Sequence, residues 1–490
     1  MAMQHNEKII NSADYDAIII GAGLGGLLTA AQLLTRGQRV AIVERLHHVG
    51  GRFTAKPFQG AQISTGAVHM LPFGSNGIVA AMLRELHIPH YVHDAEVFGS
   101  FHIRGQQIRA RSILALARVF APKDFARLVS IGRDMMLRSP RPDELNMTYA
   151  QWLTAQGITK ATHPDIVVFF ERVSHFTLSV DLDQVSYLEV CETLKNMFRY
   201  GPPGIVDGGC GAIAQALEER VRTAGATVFL NHDVRQILQQ DGRATGIIAR
   251  DKQTGLFTSL TAPLIISNIG PYATDTLLQP ATQPSTATTH DHQGATGLKT
   301  HLLLEQSFVP HKGILYCLDT ERIAGIVQPS NSDPSLAPPG KHLLITHQLW
   351  RPERESIAEA RALAMRDLEY LLGPQDNGQW RVLTMSQYHD AWPVNRAKQG
   401  EDATPTTAVN GVYLVGDAIK PSGYLMVEGV AQSVNELLDI LESHPATDSI
   451  APLHNHVAAK PSRRRALNWL IAPPAPYKQI PVESGSSQAK

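Results

Sequence analysis

The sequence predicts an α/β fold. One parallel sheet with covering helices is assembled from three separated stretches of chain, and the two long insertions between them form a second, largely helical domain. Three observations predict this. A glycine-rich turn lies between a short apolar run and an alanine- and leucine-rich stretch near the N-terminus. A second apolar run ends in an acid at the expected distance of about 20 residues. Far downstream, a third apolar run closes on a Gly-Asp pair.

Ala17–Ile20 reads as a strand, Gly21-Ala-Gly-Leu-Gly-Gly26 as the turn and Leu27–Leu34 as the helix it opens. The glycines have separate tasks. Gly21 makes the tight turn, Gly23 lets backbone approach a pyrophosphate, and Gly26 lets helix and strand pack closely. The pyrophosphate then sits at the positive end of the helix. The strand Arg39–Val43 ends in Glu44, whose carboxylate can accept hydrogen bonds from the adenosine ribose, favouring an unphosphorylated one.

The segments that follow choose between a nicotinamide and a flavin. His47-His-Val-Gly-Gly-Arg-Phe53 reads as a turn in which Gly-Gly passes close to the cofactor and Arg52 offers a planar cation to phosphate. Gly411-Val-Tyr-Leu-Val-Gly-Asp417 reads as a buried strand, followed by the turn Lys420–Tyr424 and a helix over Val427–Leu441. Asp417 at that strand end can hold a ribityl hydroxyl, and the helix start can face the pyrimidine edge of a flavin.

On these residues the chain resembles the superfamily of FAD-dependent amine oxidases and phytoene desaturases. The resemblance runs through Asp16–Leu71, Val206–Gly270 and the Gly416-Asp417 element. It implies a Rossmann-type FAD-binding domain in which Gly21, Gly23, Gly26, Glu44, Arg45, Gly51, Arg52, Val234 and Asp417 line the FAD site, Val234 through its backbone at the adenine. It also implies that Gly66–Met70 passes the isoalloxazine. Pro421-Ser-Gly-Tyr-Leu-Met-Val-Glu428-Gly departs from the Gly/Pro-rich turn usual in desaturases.

The domains expected are residues 14–75, 202–275 and 405–445 for FAD and 76–201 with 276–404 for substrate, followed by a tail over 446–490. The FAD domain should carry helices on both faces of its sheet. Thr245–Arg250 and Leu256–Thr261 read as a hairpin, and Leu264–Ser267 as a short buried strand. In the first insertion Ile78, Met82, Leu83 and Leu86 recur at helical spacing, and Thr148 caps a helix from Tyr149. Leu277–Gly297, rich in Thr, Gln, Pro and Ser, reads as a mobile loop. Ile357–Leu372 is an amphipathic helix with Ser356 and Glu359 as a capping box.

At 490 residues with a formal net charge of −1, the chain is long enough for two domains and carries no global signal for nucleic acid. Cys191, Cys210 and Cys317 are far apart and form no CxxC, which fits a reducing, cytoplasmic compartment without disulfides or zinc. Met1–Ala13 lacks the order of a secretory signal. His87, His90 and His93, and His290 with His292, lack a ligand pattern, and no metal is expected.

Between Arg104 and Arg141 cations outnumber acids and interleave with apolar residues. This is either a solvated face over a core stripe or a surface for anionic lipid, so peripheral membrane contact is an alternative to a wholly soluble protein. Arg463-Arg-Arg-Ala-Leu-Asn-Trp-Leu-Ile471 offers the same pair of readings. Trp392-Pro393 precedes the return to the FAD domain and either covers the ring or fills the junction.

A flavin accepts hydride, so no serine, cysteine or paired-carboxylate unit is required. His69, Tyr424 and Glu428 are candidates for catalytic contact. Each has a structural alternative: a satisfied core histidine, a pocket wall and a helix-start acid. The resemblance implies an FAD-dependent oxidoreductase that introduces or removes a C–C double bond in a hydrophobic, isoprenoid or carotenoid-like small molecule. The alternatives are an oxidase of an amine or tetrapyrrole precursor, and a non-catalytic prenyl-lipid binder of related fold.

Overall fold

The computed structural model describes residues 9–96, 99–110, 112–279, 295–388, 403–424 and 426–443, residues 9–13 and 113 by backbone alone. His290, His292, Trp392-Pro393 and the Arg463–Ile471 tail lie outside these residues.

Five parallel strands form the first sheet, in the spatial order Thr227–Phe229, Val40–Val43, Ala17–Ile20, Leu264–Ser267, Val412–Leu414. The last four are buried at every position, which is why they read as continuous apolar runs. Alternate residues serve two different cores. Ala17, Ile19, Val40, Ile42, Leu264 and Ile266 pack under the helices Leu24–Thr35, Gly209–Thr223 and Met426–Ser443. Ile18, Ile20, Ala41, Val43 and Ile265 pack against Val234, Ile237, Ile247 and Leu260. That second face is covered by an antiparallel meander of His232–Gln240, Arg243–Asp251 and Phe257–Thr261, so the expectation of helices on both faces is corrected. The strand Ile9–Asp14 extends the meander, pairing in parallel with Phe257–Thr261.

The second domain is built on seven strands in the order Trp380–Tyr388, Gly297–Leu304, His342–Leu349, Gly325–Val327, Leu315–Cys317, Gly99–Ile103, Gln106–Ala110. Its helical part is concentrated in the first insertion, over Pro122–Leu137, Tyr149–Ala155, Pro164–Thr177 and Tyr187–Tyr200. The second insertion is mainly sheet because strands from both insertions pair with one another. On one sheet face Leu302, Leu304, Leu315 and Leu344 meet Leu368 and Leu371 of the helix Ile357–Leu372, which carries the Ser356–Glu359 capping box. On the other face Leu303, Val327, Leu343 and Ile345 meet Ala61, Met70 and Ile205. The sheet thus roofs the segment that leads away from the first glycine turn.

The stretch expected to be one loop over Leu277–Gly297 differs at both ends. Leu277 and Leu278 close the helix Pro271–Leu278, and Gly297 begins a strand. In the basic sector Leu128, Ile131 and Met135 are buried on one side of the helix Pro122–Leu137. Arg138 and Arg141 both pair with Glu144, a cationic face over a core stripe, and Leu114 and Leu137 stand exposed. Among the described residues no helix is long and apolar enough to cross a membrane.

Candidate cofactor and substrate site

The first turn is shaped by what it lacks. Gly21 has φ +93°, and a methyl group on Gly26 would overlap the Gly21 carbonyl oxygen, so strand and helix can touch only at glycine. Gly50 N–H donates to the Ala22 carbonyl at 2.7 Å, which draws the His47–Phe53 turn against the first one. A methyl group on Gly51 would have only the Gly23 Cα near it, at 3.8 Å, so the two glycine segments form an open backbone cradle. Glu44 is buried. Its Oε2 accepts from Ala22 N–H at 2.7 Å and its Oε1 from Leu46 N–H at 2.8 Å. The acid therefore ties the turn to its own strand end. Arg45 is exposed and its carbonyl accepts from Lys252 Nζ at 3.2 Å. Val234 is buried in the meander and pairs with Ala249, and the register slips before Gln236 pairs with Ile248, leaving a bulge beside it.

Arg52 and Asp417, from the two ends of the chain, meet at 3.3 Å with both side chains partly accessible. The turn after Asp417 is pinned to the helical insertion. Lys420 Nζ donates to Glu189 Oε1 at 3.0 Å, and Gly423 N–H donates to Glu189 Oε2 at 3.0 Å, all buried. Tyr424 completes an aromatic cluster with Phe73 and Tyr200, whose rings stack at 5.0 Å, and it stays half-buried.

Two of the catalytic candidates, His69 and Glu428, are buried and hydrogen bonded within the fold. His69 is fully buried at φ +61°; its Nε2 lies 2.9 Å from the Gln62 carbonyl and its Nδ1 accepts from Cys210 N–H at 3.2 Å. Both ring nitrogens are used, and burial lowers its pKa to about 4. Glu428 is fully buried as well. Its carboxylate accepts from Val79 N–H at 3.0 Å and Phe73 N–H at 3.4 Å, capping the start of the helix Ile78–Glu85 from a distant part of the chain. Burial raises its pKa to about 7.

A polar group absent from the sequence reading lies on the roofing sheet. Lys299 is buried on the strand Gly297–Leu304, with Nζ donating to Ser64 O at 2.9 Å, Gly66 O at 3.0 Å and Ser64 Oγ at 3.2 Å. Burial lowers its pKa to about 7. His301, two residues on, sits 3.1 Å from the same Ser64 hydroxyl. Across the sheet Lys299 is in register with His347. The His347 Nε2 is hydrogen bonded to the Tyr388 hydroxyl, which lies 2.7 Å from Ser179 Oγ. Burial holds His347 neutral, with a pKa lowered to about 3. Gly297 makes room for this pair, since a methyl group there would overlap the Tyr388 hydroxyl. The trace in the sequence is the Lys-Thr-His stretch Lys299–His301 at the head of a leucine-rich strand, a pattern that carries no pairing information.

A family model described as flavin containing amine oxidoreductase matches residues 24–433. The chain belongs to that family. Its cofactor is FAD, and the open glycine cradle with a buried acid beside it fits that group. Among solved structures, an oxidoreductase from Methanosarcina mazei is 32% identical at a TM-score of 0.76, covering 88% of this chain and 100% of that one. An uncharacterized protein of Methanocaldococcus jannaschii is 29% identical over 431 residues, 87% of this chain and 99% of that protein. Prolycopene isomerase 1, chloroplastic, of an Oncidium hybrid cultivar is 23% identical over 497 residues, 84% of this chain and 82% of that protein.

Proposed function

We propose that this flavoprotein introduces or removes a C–C double bond in a hydrophobic, isoprenoid-like molecule. In this reading Gly21, Gly23, Gly26, Gly51 and Arg52 hold the pyrophosphate, Glu44 and Arg45 the adenosine ribose, Val234 the adenine and Asp417 the ribityl chain. When bound, FAD supplies a hydride acceptor. The substrate lies against the roofing sheet where the helical insertion meets it, at Phe176, Ser179, His347 and Tyr388.

The charge pattern of that roof carries the reading. Its polar side chains include Lys299, His301, His347 and Tyr388, with Thr384 and Ser386 beside them, all cationic or neutral. The nearby carboxylates are already paired, Asp181 with Arg351 and Asp417 with Arg52. A protonated amine would meet Lys299 without an opposing carboxylate, whereas a hydrocarbon loses nothing there. Aromatic rings extend the wall: Phe176 lies against Gly325, where a methyl group would come within 2.6 Å of it, and packs edge-on to Tyr316. Removing hydride from one carbon leaves a proton on its neighbour. Near pH 7 part of Lys299 is the neutral amine, which gives up one of its three hydrogen bonds and has a lone pair to take that proton, with His347 and Tyr388 as the adjoining hydrogen-bonded groups.

Anaerobic mixing of the oxidised holoprotein with partly saturated isoprenoid hydrocarbons, which can lose hydride, and with benzylamine tests this. Bleaching of the flavin by a hydrocarbon is the expected result, and bleaching by the amine alone overturns it in favour of an amine oxidase. Purified chain that is colourless and takes up no FAD would instead favour a prenyl-lipid binder.

A further inference from the structure

Asn268 follows the strand Leu264–Ser267 at the carboxyl edge of the parallel sheet, outside all of the glycine and acidic positions assigned above. Its backbone N–H donates to the Ile20 carbonyl at 2.8 Å, which fixes the residue over the first turn. Its side chain touches glycines from both ends of the chain at once. A methyl group on Gly23 would lie 2.6 Å from Asn268 Nδ2, one on Gly25 2.6 Å from Oδ1, and one on Gly416 2.8 Å from Oδ1. The residue is half-buried, and its amide exchanges no hydrogen bond with the described residues. A polar group with spare donors and an acceptor thus rests on backbone bared of side chains, at the positive end of the helix Leu24–Thr35. That is where an anionic pyrophosphate is drawn.

We propose that Asn268 is a cofactor-retaining residue, its amide donating a hydrogen bond to the phosphate-bearing part of bound FAD. Neutrality is as important as the donor. A carboxylate of the same size would accept rather than donate and would set a negative charge against the diphosphate. Gly23, Gly25 and Gly416 leave this amide its room, so the two sequence motifs meet through a residue that belongs to neither.

The test is titration of flavin-stripped full-length protein with FAD, followed by quenching of flavin fluorescence, and it needs no substrate. Its outcome is therefore separate from that of the proposed reaction. Asn268→Ala is expected to raise the Kd about 10-fold, the loss of one hydrogen bond to a charged group. Asn268→Asp is expected to raise it about 100-fold, with the excess over alanine shrinking as salt is added. Asn268→Ser keeps a neutral donor and covers the case in which the aspartate variant does not fold; its Kd is expected to stay well below that of Asn268→Ala. Kd values within threefold of the parent for both Ala and Asp overturn the proposal. So does an equal loss in Ala, Asp and Ser accompanied by a lower melting temperature of the stripped protein, which would mark a packing role.

Discussion

Replacing Glu428 by glutamine should change how stability depends on pH while leaving bound flavin in place. The carboxyl group is fully buried, and its pKa of about 7 stands above the ordinary value of 4.5. A group whose folded pKa is raised binds more protons in the native state across that interval. Its favourable contribution is complete below pH 4.5 and is lost as pH climbs to about 7. At 1.36 kcal/mol per unit, the loss is about 3 kcal/mol. Glutamine keeps an oxygen to accept from Val79 N–H and carries no charge, so the variant escapes this loss. Other groups titrate in the same range, among them His69 and His347, whose lowered values tilt stability the opposite way. The difference between parent and variant removes their share. Denaturant melts of both proteins at matched flavin content, from pH 4.5 to pH 8, should show similar stability at the acid end. The variant should gain up to about 3 kcal/mol at the alkaline end. A difference that is flat with pH, or a variant that weakens as pH rises, would refute the account of Glu428 as a buried acid protonated in the resting fold.

Four further outcomes are expected. Gly26→Ala forces a methyl group onto the Gly21 carbonyl, and flavin content together with melting temperature should show loss of both FAD and stability. Glu44→Ala strips acceptors from Ala22 and Leu46 N–H, and fluorescence titration should find FAD held at least about 10-fold more weakly. Lys299→Met should leave flavin content intact and slow flavin reduction by a hydrocarbon substrate about 100-fold or more in stopped-flow mixing; an unchanged rate would remove the lysine from the chemistry. Trp152→Ala empties a site stacked between Tyr149 and Tyr187 and should cost about 3–5 kcal/mol in urea unfolding, with no direct effect on FAD affinity.

The sequence by itself determined the features that local backbone geometry enforces. Gly21 and Gly26 sit where only glycine fits, Ala17–Ile20 and Leu264–Ile266 are apolar throughout because both sheet faces are covered, and Thr148 and Ser356 announce the helices they cap. Each of these signals is read within a few residues. Tertiary structure alone decided what covers the second face of the parallel sheet, because an alternating strand pattern does not say which neighbour it will meet. It also decided the fate of Glu428, legible locally as a first-turn acid of its own helix and engaged instead with the start of another. Lys299, His347, Tyr388 and Ser179 come from four separate segments, and Asn268 reaches glycines at opposite ends of the chain. Register between strands distant in sequence sets those meetings, and a one-residue slip would turn every one of the strand side chains to the other face.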